Sequence, residues 1–366
     1  MKKNIFIACP ELPKIDSYLK KIKQIWQTNQ LTNNGNFLKT LEFQLSKYLS
    51  VNNILVVSNG SSALDISLNI LGFQGEIITT PFSYIATSSS LIWNRCTPIY
   101  CDIDLQTFCA DPKSIQEKIT KNTRGILLTH VFGNVCDLDK ISKISSKFKL
   151  PLIYDGAHSF GVTLKNNKTI FSYSNATILS FHATKIFHTA EGGAIVFKNY
   201  AAYKKAYYMR SYGHKNEYSY KCIGKNAKMS ELHAALGIEN LKNIDKVILS
   251  RKKRSEKYDH YLNKYFDSKK IIKQKINKDI NYNYSYYPIV FKSTKILFKV
   301  IKELARNNIF PRKYFYPSLN KIRIINNSQI CPNSEYIAKR ILCLPISRNV
   351  NVNDIKKISS IIGNFL

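Results

Sequence analysis

Short apolar runs alternate with amphipathic stretches along the first 200 residues of the chain. The runs lie at 54–57, 77–80, 98–104, 125–134, 152–154 and 194–197. Between them, apolar residues recur three or four positions apart, as at Leu64, Leu68 and Leu71, which is typical of helices with one buried face. Strands that alternate with helices in this way predict a largely parallel sheet with both faces covered.

The pattern changes at both ends of this region. Residues 12–30 and 37–49 carry apolar positions at helical spacing, and the polar turn 32–35 separates them. From about residue 241 the chain turns to long basic helices, and 282–291 alternates aromatic and polar residues as strands do. We therefore predict a large α/β domain over 1–240 and a small α+β domain over 241–366.

Composition narrows the class of protein. With 366 residues, 44% of them hydrophobic, the chain can bury a large core. No run approaches the ~20 apolar residues of a membrane span, and the apolar run 5–9 is too short for a signal peptide, so we expect a cytoplasmic protein with no membrane partner. The eight cysteines include no C-x-x-C pair and no zinc spacing, so we expect reduced thiols and no metal.

The formal net charge of +31, taken alone, indicates a nucleic-acid-associated protein. The lysines are scattered, however, with only short clusters such as 251–254, and no RNA-binding aromatic signature or zinc-finger spacing accompanies them. A polyanionic small-molecule substrate would favour the same basic surface. A lysine-biased coding composition explains the scatter more simply, and all three explanations stay open at this point.

One lysine stands among an unusual set of neighbours. Residues 180–195 read Ser-Phe-His-Ala-Thr-Lys-Ile-Phe-His-Thr-Ala-Glu-Gly-Gly-Ala-Ile, so Lys185 lies among hydroxyls, histidines and paired glycines. An ammonium with its free pKa of ~10.4 is not a nucleophile, and a lysine that forms a Schiff base needs desolvation to become partly neutral. The apolar residues around Lys185 provide a means of desolvation. Taken alone, the stretch also fits a lysine in a surface loop.

Two other segments support the interpretation of Lys185 as a reactive amine. The apolar run 152–154 ends in Asp155, and open α/β sheets present ligand-binding groups at the carboxyl ends of such strands. The strand at 54–57 leads into Ser-Asn-Gly-Ser-Ser-Ala at 58–63 and then into a helix, and unpaired amides at a helix N-terminus bind phosphate. Because no G-x-G-x-x-G or Walker lysine motif is present, this turn does not indicate a dinucleotide or a triphosphate.

Together these segments resemble the DegT/DnrJ/EryC1/StrS family of sugar aminotransferases. The resemblance rests on Asp155-x-x-His158, on Ser-Phe-His-x-Thr-Lys at 180–185, on Glu-Gly-Gly at 191–193 and on Gly-x-Asn-x-Lys-Met at 224–229, where the family usually has arginine in place of Lys228. It implies an enzyme that uses pyridoxal 5'-phosphate (PLP), has aminotransferase fold type I and works as a homodimer with active sites at the interface. A few relatives replace the lysine by histidine and dehydrate sugars, so Lys185 implies transamination.

The resemblance also implies roles for individual residues. Lys185 would anchor the cofactor and move the proton, and Asp155 would pair with the ring nitrogen. His158 would lie near the cofactor hydroxyl, and Tyr84 would stack on the ring. The implied phosphate contacts are Gly60, Ser61, Ser62, Ser180 and, from the partner subunit, Asn226. The implied substrate contacts are Asn33, His188, Arg312 and Tyr316.

The implied reaction has two halves. L-glutamate leaves its amine on the cofactor, which then aminates a keto sugar bound as its nucleotide diphosphate. The segments 131–137 and 312–317 look closest to enzymes that aminate C4 of dTDP-4-keto-6-deoxy-D-glucose, a sugar that usually enters surface polysaccharide or the O-antigen of lipopolysaccharide. Amination at C3 of a dTDP-3-keto-6-deoxyhexose stays open, because no motif reports the pose of the sugar. The nucleic-acid alternative leaves Asp155, Ser180 and Lys185 unexplained.

Overall fold

Helices and strands alternate through the chain in this computed structural model, which describes residues 4–166, 168–325 and 329–366. The first part contains β1 (Ile5–Phe6), α1 (Ile15–Thr28), α2 (Asn36–Leu49), β2 (Ile54–Val57), α3 (Gly60–Ile70), β3 (Gly75–Thr79), α4 (Ile85–Trp93), β4 (Cys96–Tyr100), α5 (Pro112–Lys118), β5 (Thr123–Thr129), α6 (Leu138–Lys147), β6 (Leu152–Asp155), β7 (Thr163–Leu164), β8 (Ala176–Ser180), β9 (Gly193–Phe197) and α7 (Tyr200–Met209). The second part contains β10 (His214–Asn216), β11 (Ser219–Tyr220), α8 (Glu231–Leu241), α9 (Ile244–Asp267), β12 (Ile271–Lys273), β13 (Ile280–Asn281), β14 (Tyr287–Phe291), α10 (Thr294–Arg306), β15 (Ile309–Phe310), α11 (Pro332–Arg340), β16 (Ile341–Leu344) and α12 (Val352–Gly363).

A seven-stranded sheet forms the centre of the fold, in the order β2-β9-β8-β6-β5-β3-β4. Strands β8, β6, β5, β3 and β4 run parallel, and β9 is antiparallel to both of its neighbours. The prediction of a largely parallel α/β sheet is therefore confirmed. Both faces are covered: in β2, Ile54 and Val56 belong to one hydrophobic cluster, while Leu55 and Val57 belong to another. This explains why the strands are apolar at every position instead of alternating.

The carboxyl ends of the parallel strands meet at one edge of this sheet. Thr79, Thr129, Asp155 and Ser180 end β3, β5, β6 and β8. Since β2 and β8 are both antiparallel to β9, β2 points the same way, and the turn that follows it at 58–60 lies at the same edge. The loops after these strands converge where open α/β sheets bind ligands.

A three-stranded antiparallel sheet, β12-β14-β16, organises the C-terminal part. Helices α9, α10 and α12 pack with it around a separate hydrophobic cluster that includes Tyr258, Leu297 and Ile358. The N-terminal β1 pairs with β15, so Ile5 joins this C-terminal cluster. The division of the chain at residues 240 and 241 stays a prediction.

The segment 282–291, whose alternation is typical of strands, belongs to the C-terminal sheet only in its second half. Only Tyr287–Phe291 is a strand. Tyr284 has φ 54°, in the left-handed region, which interrupts extended pairing. The Asn283 side-chain amide donates to the carbonyl oxygen of His158 at 2.8 Å. The first half of the segment is therefore a loop that is tied to the turn after β6.

Two general features of the described residues bear on function. Among them, no helix is long and apolar enough to cross a membrane. The His, Cys, Asp and Glu side chains of these residues form no group of three or more that could hold a metal ion. All eight cysteines are free thiols.

Candidate active site

A cavity of about 310 Å³ opens at the carboxyl edge of the central sheet. It is lined by most of the residues that the sequence singled out for the cofactor, namely Gly60, Ser61, Tyr84, Asp155, His158, Ser180 and Lys185. Arg312, a predicted substrate contact, also lines it. A larger groove of about 660 Å³ lies between α9 and residues 273–288, but it contains none of these residues.

Lys185 is held on a loop between β8 and β9. The loop closes on itself where the Phe181 amide donates to the carbonyl oxygen of Gly192 at 2.8 Å. Beneath it, the rings of Phe181 and Phe187 pack edge to face with their centroids 4.8 Å apart. Burial lowers the pKa of Lys185 from 10.5 to about 8, and the charge of Asp155 opposes this change. The amine is therefore partly neutral near neutral pH, as a nucleophile must be.

The Asp155 carboxylate is buried, and its hydrogen bonds stabilise the ionised form. Thr87 Oγ1 donates to Oδ2 at 2.7 Å, and the Ala157 amide donates to Oδ1 at 3.1 Å. Burial raises the pKa of Asp155, while these two hydrogen bonds and the charge of Lys185 work against the rise. A buried acid held in this way is suited to face a protonated ring nitrogen.

The backbone sets the orientation of His158. Its Nδ1 accepts a hydrogen bond from the Phe132 amide at 3.2 Å, so Nε2 carries the proton of the neutral ring. Burial and the charge of Lys185 hold the pKa of His158 well below its usual value, which keeps the ring neutral. The Phe315 ring lies nearly parallel to it, with centroids 5.7 Å apart and planes 6° apart. His158 thus offers a donor, Nε2, in a ring that lines the cavity.

The turn before α3 has the features of an anion-binding site. Asn59 caps the helix, since its side-chain oxygen accepts from the Ser62 amide at 2.7 Å. The amides of Gly60 and Ser61 lie in the first turn, where a helix offers them no acceptor of its own. A Cβ at Gly60 would lie 3.2 Å from Cβ of Ser180, so glycine lets the helix start approach the end of β8. These amides and serine hydroxyls can bind a phosphate.

Five predicted residues lie outside this cavity in the part of the chain that the structure describes. His188 is 2% exposed, and its Nε2 lies 2.6 Å from the carbonyl oxygen of Glu11. It therefore joins the lysine loop to the N-terminal segment. Tyr316 is 54% exposed and has Lys313 Nζ 3.6 Å from its ring centroid. Its ring is directed to this lysine and to solvent.

The other three lie near the cavity or further away on the same chain. The hydroxyl of Ser62 lies 3.3 Å from that of Ser58, within the capping turn. Asn33, with φ 63°, belongs to the turn between α1 and α2. The Asn226 side-chain oxygen accepts from Lys228 Nζ at 2.7 Å. The contact of Asn226 with the phosphate of a partner subunit stays a prediction.

The cavity also has an aromatic wall, which was not predicted from the sequence. Tyr286, Tyr314 and Phe315 line one side of it. The guanidinium of Arg312 lies 3.4 Å from the Tyr314 hydroxyl. In this segment it is thus Tyr314, and not Tyr316, that faces the cavity. The resemblance singles out the segment 312–317 but does not show which of its rings faces the cavity. Tyr286 meets this segment only through the tertiary fold.

The cavity residues fit the requirements of PLP, which needs an amine for its aldehyde, an acid for its ring nitrogen, a ring contact and a phosphate site. Tyr84, which precedes α4 and is 60% exposed, would be the ring contact. Lys185, Asp155 and the turn at Gly60 line the same cavity and would meet the other three requirements. The fold and the site therefore define a PLP-dependent enzyme of aminotransferase fold type I.

Comparison with known proteins identifies the family. The chain matches the DegT/DnrJ/EryC1/StrS aminotransferase family over residues 14–363 and belongs to it, so it is a PLP-dependent aminotransferase. It is 36% identical to the dTDP-4-amino-4,6-dideoxy-D-glucose transaminase of Shigella dysenteriae over 99% of both chains, and 33% identical to a transaminase of the same name from Escherichia coli over 98% of both. A crystal structure of DesI in the presence of its TDP-sugar product has a TM-score of 0.92 at 23% identity, covering 99% of this chain and 93% of that one. The predicted family, fold and cofactor are thereby confirmed.

Proposed function

We propose that the protein transfers the amino group of L-glutamate to C4 of dTDP-4-keto-6-deoxy-D-glucose and forms dTDP-4-amino-4,6-dideoxy-D-glucose. The proposal rests on one observation: Lys185, Asp155 and the helix start at Gly60 line the same cavity. The finer assignment of the sugar is supported by full-length identity of 36% to a transaminase named for this product. We assign the reaction to the cytoplasm, in the synthesis of surface polysaccharide such as the O-antigen of lipopolysaccharide.

PLP, when bound, supplies an electron sink for the carbon atom that loses its proton. Lys185 would anchor the cofactor aldehyde, and once released from it, an amine with a pKa of about 8 can both accept and return a proton near neutral pH. Asp155 would hold the ring nitrogen protonated through its negative charge. His158 would donate from Nε2 to the cofactor hydroxyl.

The remaining cavity residues bind and orient. The Gly60 and Ser61 amides and the Ser180 hydroxyl would bind the phosphate, and Tyr84 would stack on the ring. We further propose that the active form is a homodimer in which Asn226 of the partner subunit completes the phosphate site. We assign the binding of the cofactor to residues 1–240 and the aromatic wall to residues 241–366.

Arg312 and Tyr314 are our candidates for substrate binding, because both line the cavity. A guanidinium suits either a diphosphate or the carboxylate of the amine donor, since it offers several donors in a fixed planar fork. Tyr316 and His188 are not assigned this role, because their contacts lie with Lys313 and Glu11. The net charge of +31 would favour the approach of a nucleotide diphosphate.

The test incubates the purified protein with PLP, L-glutamate and dTDP-4-keto-6-deoxy-D-glucose, follows the release of 2-oxoglutarate and locates the new amine by NMR. We expect the amine at C4. Turnover of a dTDP-3-keto-6-deoxyhexose alone would establish the C3 alternative. Lys185→Ala should abolish product formation, whereas Lys198→Ala, at an exposed lysine, should not. Turnover of neither sugar would refute the substrate assignment.

A further inference from the structure

A row of three buried hydroxyls extends from the Asp155 carboxylate, and two of its residues, Ser83 and Thr129, also line the cavity. Thr87 Oγ1 lies 2.7 Å from Asp155 Oδ2, Ser83 Oγ lies 2.8 Å from Thr87 Oγ1, and Thr129 Oγ1 lies 2.8 Å from Ser83 Oγ. Thr87, Ser83 and Thr129 are 0%, 1% and 3% exposed. They come from the start of α4, the loop before it and the end of β5. None of the three carries a role in the function proposed above.

The direction of each hydrogen bond follows from the charge at one end. An ionised carboxylate only accepts, so Thr87 donates to Asp155. Each hydroxyl has a single hydrogen, so Ser83 must be the donor to Thr87, and Thr129 must be the donor to Ser83. All three O–H bonds therefore point toward Asp155. Because each hydroxyl polarises the next, the row stabilises the carboxylate more than Thr87 would alone.

The carboxylate needs this support because burial favours its neutral form. Two other groups face it, the Ala157 amide at 3.1 Å and the charged amine of Lys185. The support from Lys185 is conditional, since it disappears whenever that amine is neutral. The hydroxyl row does not include Lys185 and carries no charge that Lys185 could lose.

We propose that Thr87, backed by Ser83 and Thr129, is a positioning residue that keeps Asp155 ionised and oriented, and so keeps the ring nitrogen of the cofactor protonated. Thr87 acts through Asp155. The inference deepens one part of the proposed function, the role of Asp155 toward PLP, and does not depend on the identity of the sugar.

The experiment measures the affinity of the full-length apoprotein for two cofactors, PLP and its 1-deaza analogue, in which a C–H group replaces the ring nitrogen. Thr87→Val keeps the shape of the side chain and removes the hydroxyl, and Thr87→Ser keeps the hydroxyl. We expect Thr87→Val to bind PLP roughly tenfold more weakly, the effect of losing one hydrogen bond to a charged group, and to bind the analogue as the parent does. Thr87→Ser should bind both cofactors like the parent.

Ser83→Ala extends the test to the second hydroxyl. It should weaken PLP binding by a smaller factor than Thr87→Val does and again leave the analogue unaffected. If thermal unfolding shows that Thr87→Val does not fold, the affinities of Ser83→Ala for PLP and its analogue test the inference instead.

Equal weakening of PLP and analogue binding in these variants would overturn the inference, because a distorted cavity does not distinguish a ring nitrogen from a C–H group. Unchanged PLP affinity in both variants would overturn it as well. Since no sugar is present, an error in the substrate assignment leaves this measurement unaffected.

Discussion

The protonation of Lys185 is the property on which the proposed chemistry depends most directly. Burial lowers its pKa from 10.5 to about 8. At pH 7.5, about a quarter of a lysine with a pKa of 8 is neutral, compared with about one in a thousand for a pKa of 10.5. The structure therefore predicts that the neutral fraction of Lys185 at this pH is a few hundred times that of an ordinary lysine, by the same relation.

Trace acylation of the apoprotein measures this directly. The labelling rate of the peptide that contains Lys185, followed by mass spectrometry from neutral to alkaline pH, should level off with a midpoint near 8. The exposed Lys198, labelled in the same sample, corrects for the pH dependence of the reagent. Asp155→Asn removes the charge that raises the pKa of Lys185, so the midpoint should move to lower pH in that variant.

A midpoint at 10.5 would refute the reasoning, because the amine would then be as well hydrated as a free lysine. A midpoint that moves to higher pH in Asp155→Asn would show that the sign assigned to the interaction of the two groups is wrong. Lys185→Ala, which lacks the label at this position, confirms the assignment of the peptide.

Three further predictions concern the protein around the site. Phe187→Ala removes a buried ring beneath the lysine loop and should lower the free energy of unfolding, measured in urea, by about 3–5 kcal/mol. Arg210→Met should cost about 3–5 kcal/mol in the same assay, because it leaves the largely buried Glu42 carboxylate, 2.6 Å from the guanidinium, without its partner. His130 is fully buried, and burial lowers its pKa to about 3. Below its ordinary value of 6.5 the unfolded chain binds a proton that the folded chain does not, so stability falls as the pH decreases toward 3, and His130→Gln should reduce that slope in urea titrations at several pH values.

Exposed counterparts serve as controls for these variants. Phe148→Ala, at a ring that is 39% exposed, should change the free energy of unfolding by less than about 1 kcal/mol. Arg306→Met loses only an exposed ion pair with Glu303 and should cost about 0–1 kcal/mol. If a buried variant and its exposed control lowered the free energy of unfolding equally, the argument from burial would be contradicted. An unchanged slope in His130→Gln would mean that other groups cause the loss of stability in acid.

The reactive groups could be predicted from the sequence because local motifs specify them. Lys185 lies in a short loop before paired glycines, Asp155 ends an apolar strand, and the turn 58–60 starts a helix. Each of these needs only a strand, a turn or a helix start, and neighbouring residues set such local structure. Once the strands are parallel, their carboxyl ends must share one edge of the sheet, which brings the three segments together.

The aromatic residues that form the wall of the cavity could not be predicted from the sequence in the same way. Tyr314 and Tyr316 stand two positions apart in one short segment, and the path of the backbone decides which of them faces the cavity. The alternation that starts at residue 282 predicted a strand, but Tyr284 lies in the left-handed region and Asn283 bonds to the carbonyl oxygen of His158. A tertiary contact overrode the local pattern there.

The sequence alone indicated the largely parallel sheet through its periodicity, and it offered the candidates for anchor and acid through short motifs. The family and the cofactor came from the resemblance that those motifs carry. Only the tertiary structure decided that the Thr87, Ser83 and Thr129 hydroxyls line up behind Asp155 and that His188 contacts the N-terminal segment. These relations join side chains that are distant along the chain. Their directions depend on which elements pack together, and periodicity shows only that a face is buried, not which distant element covers it.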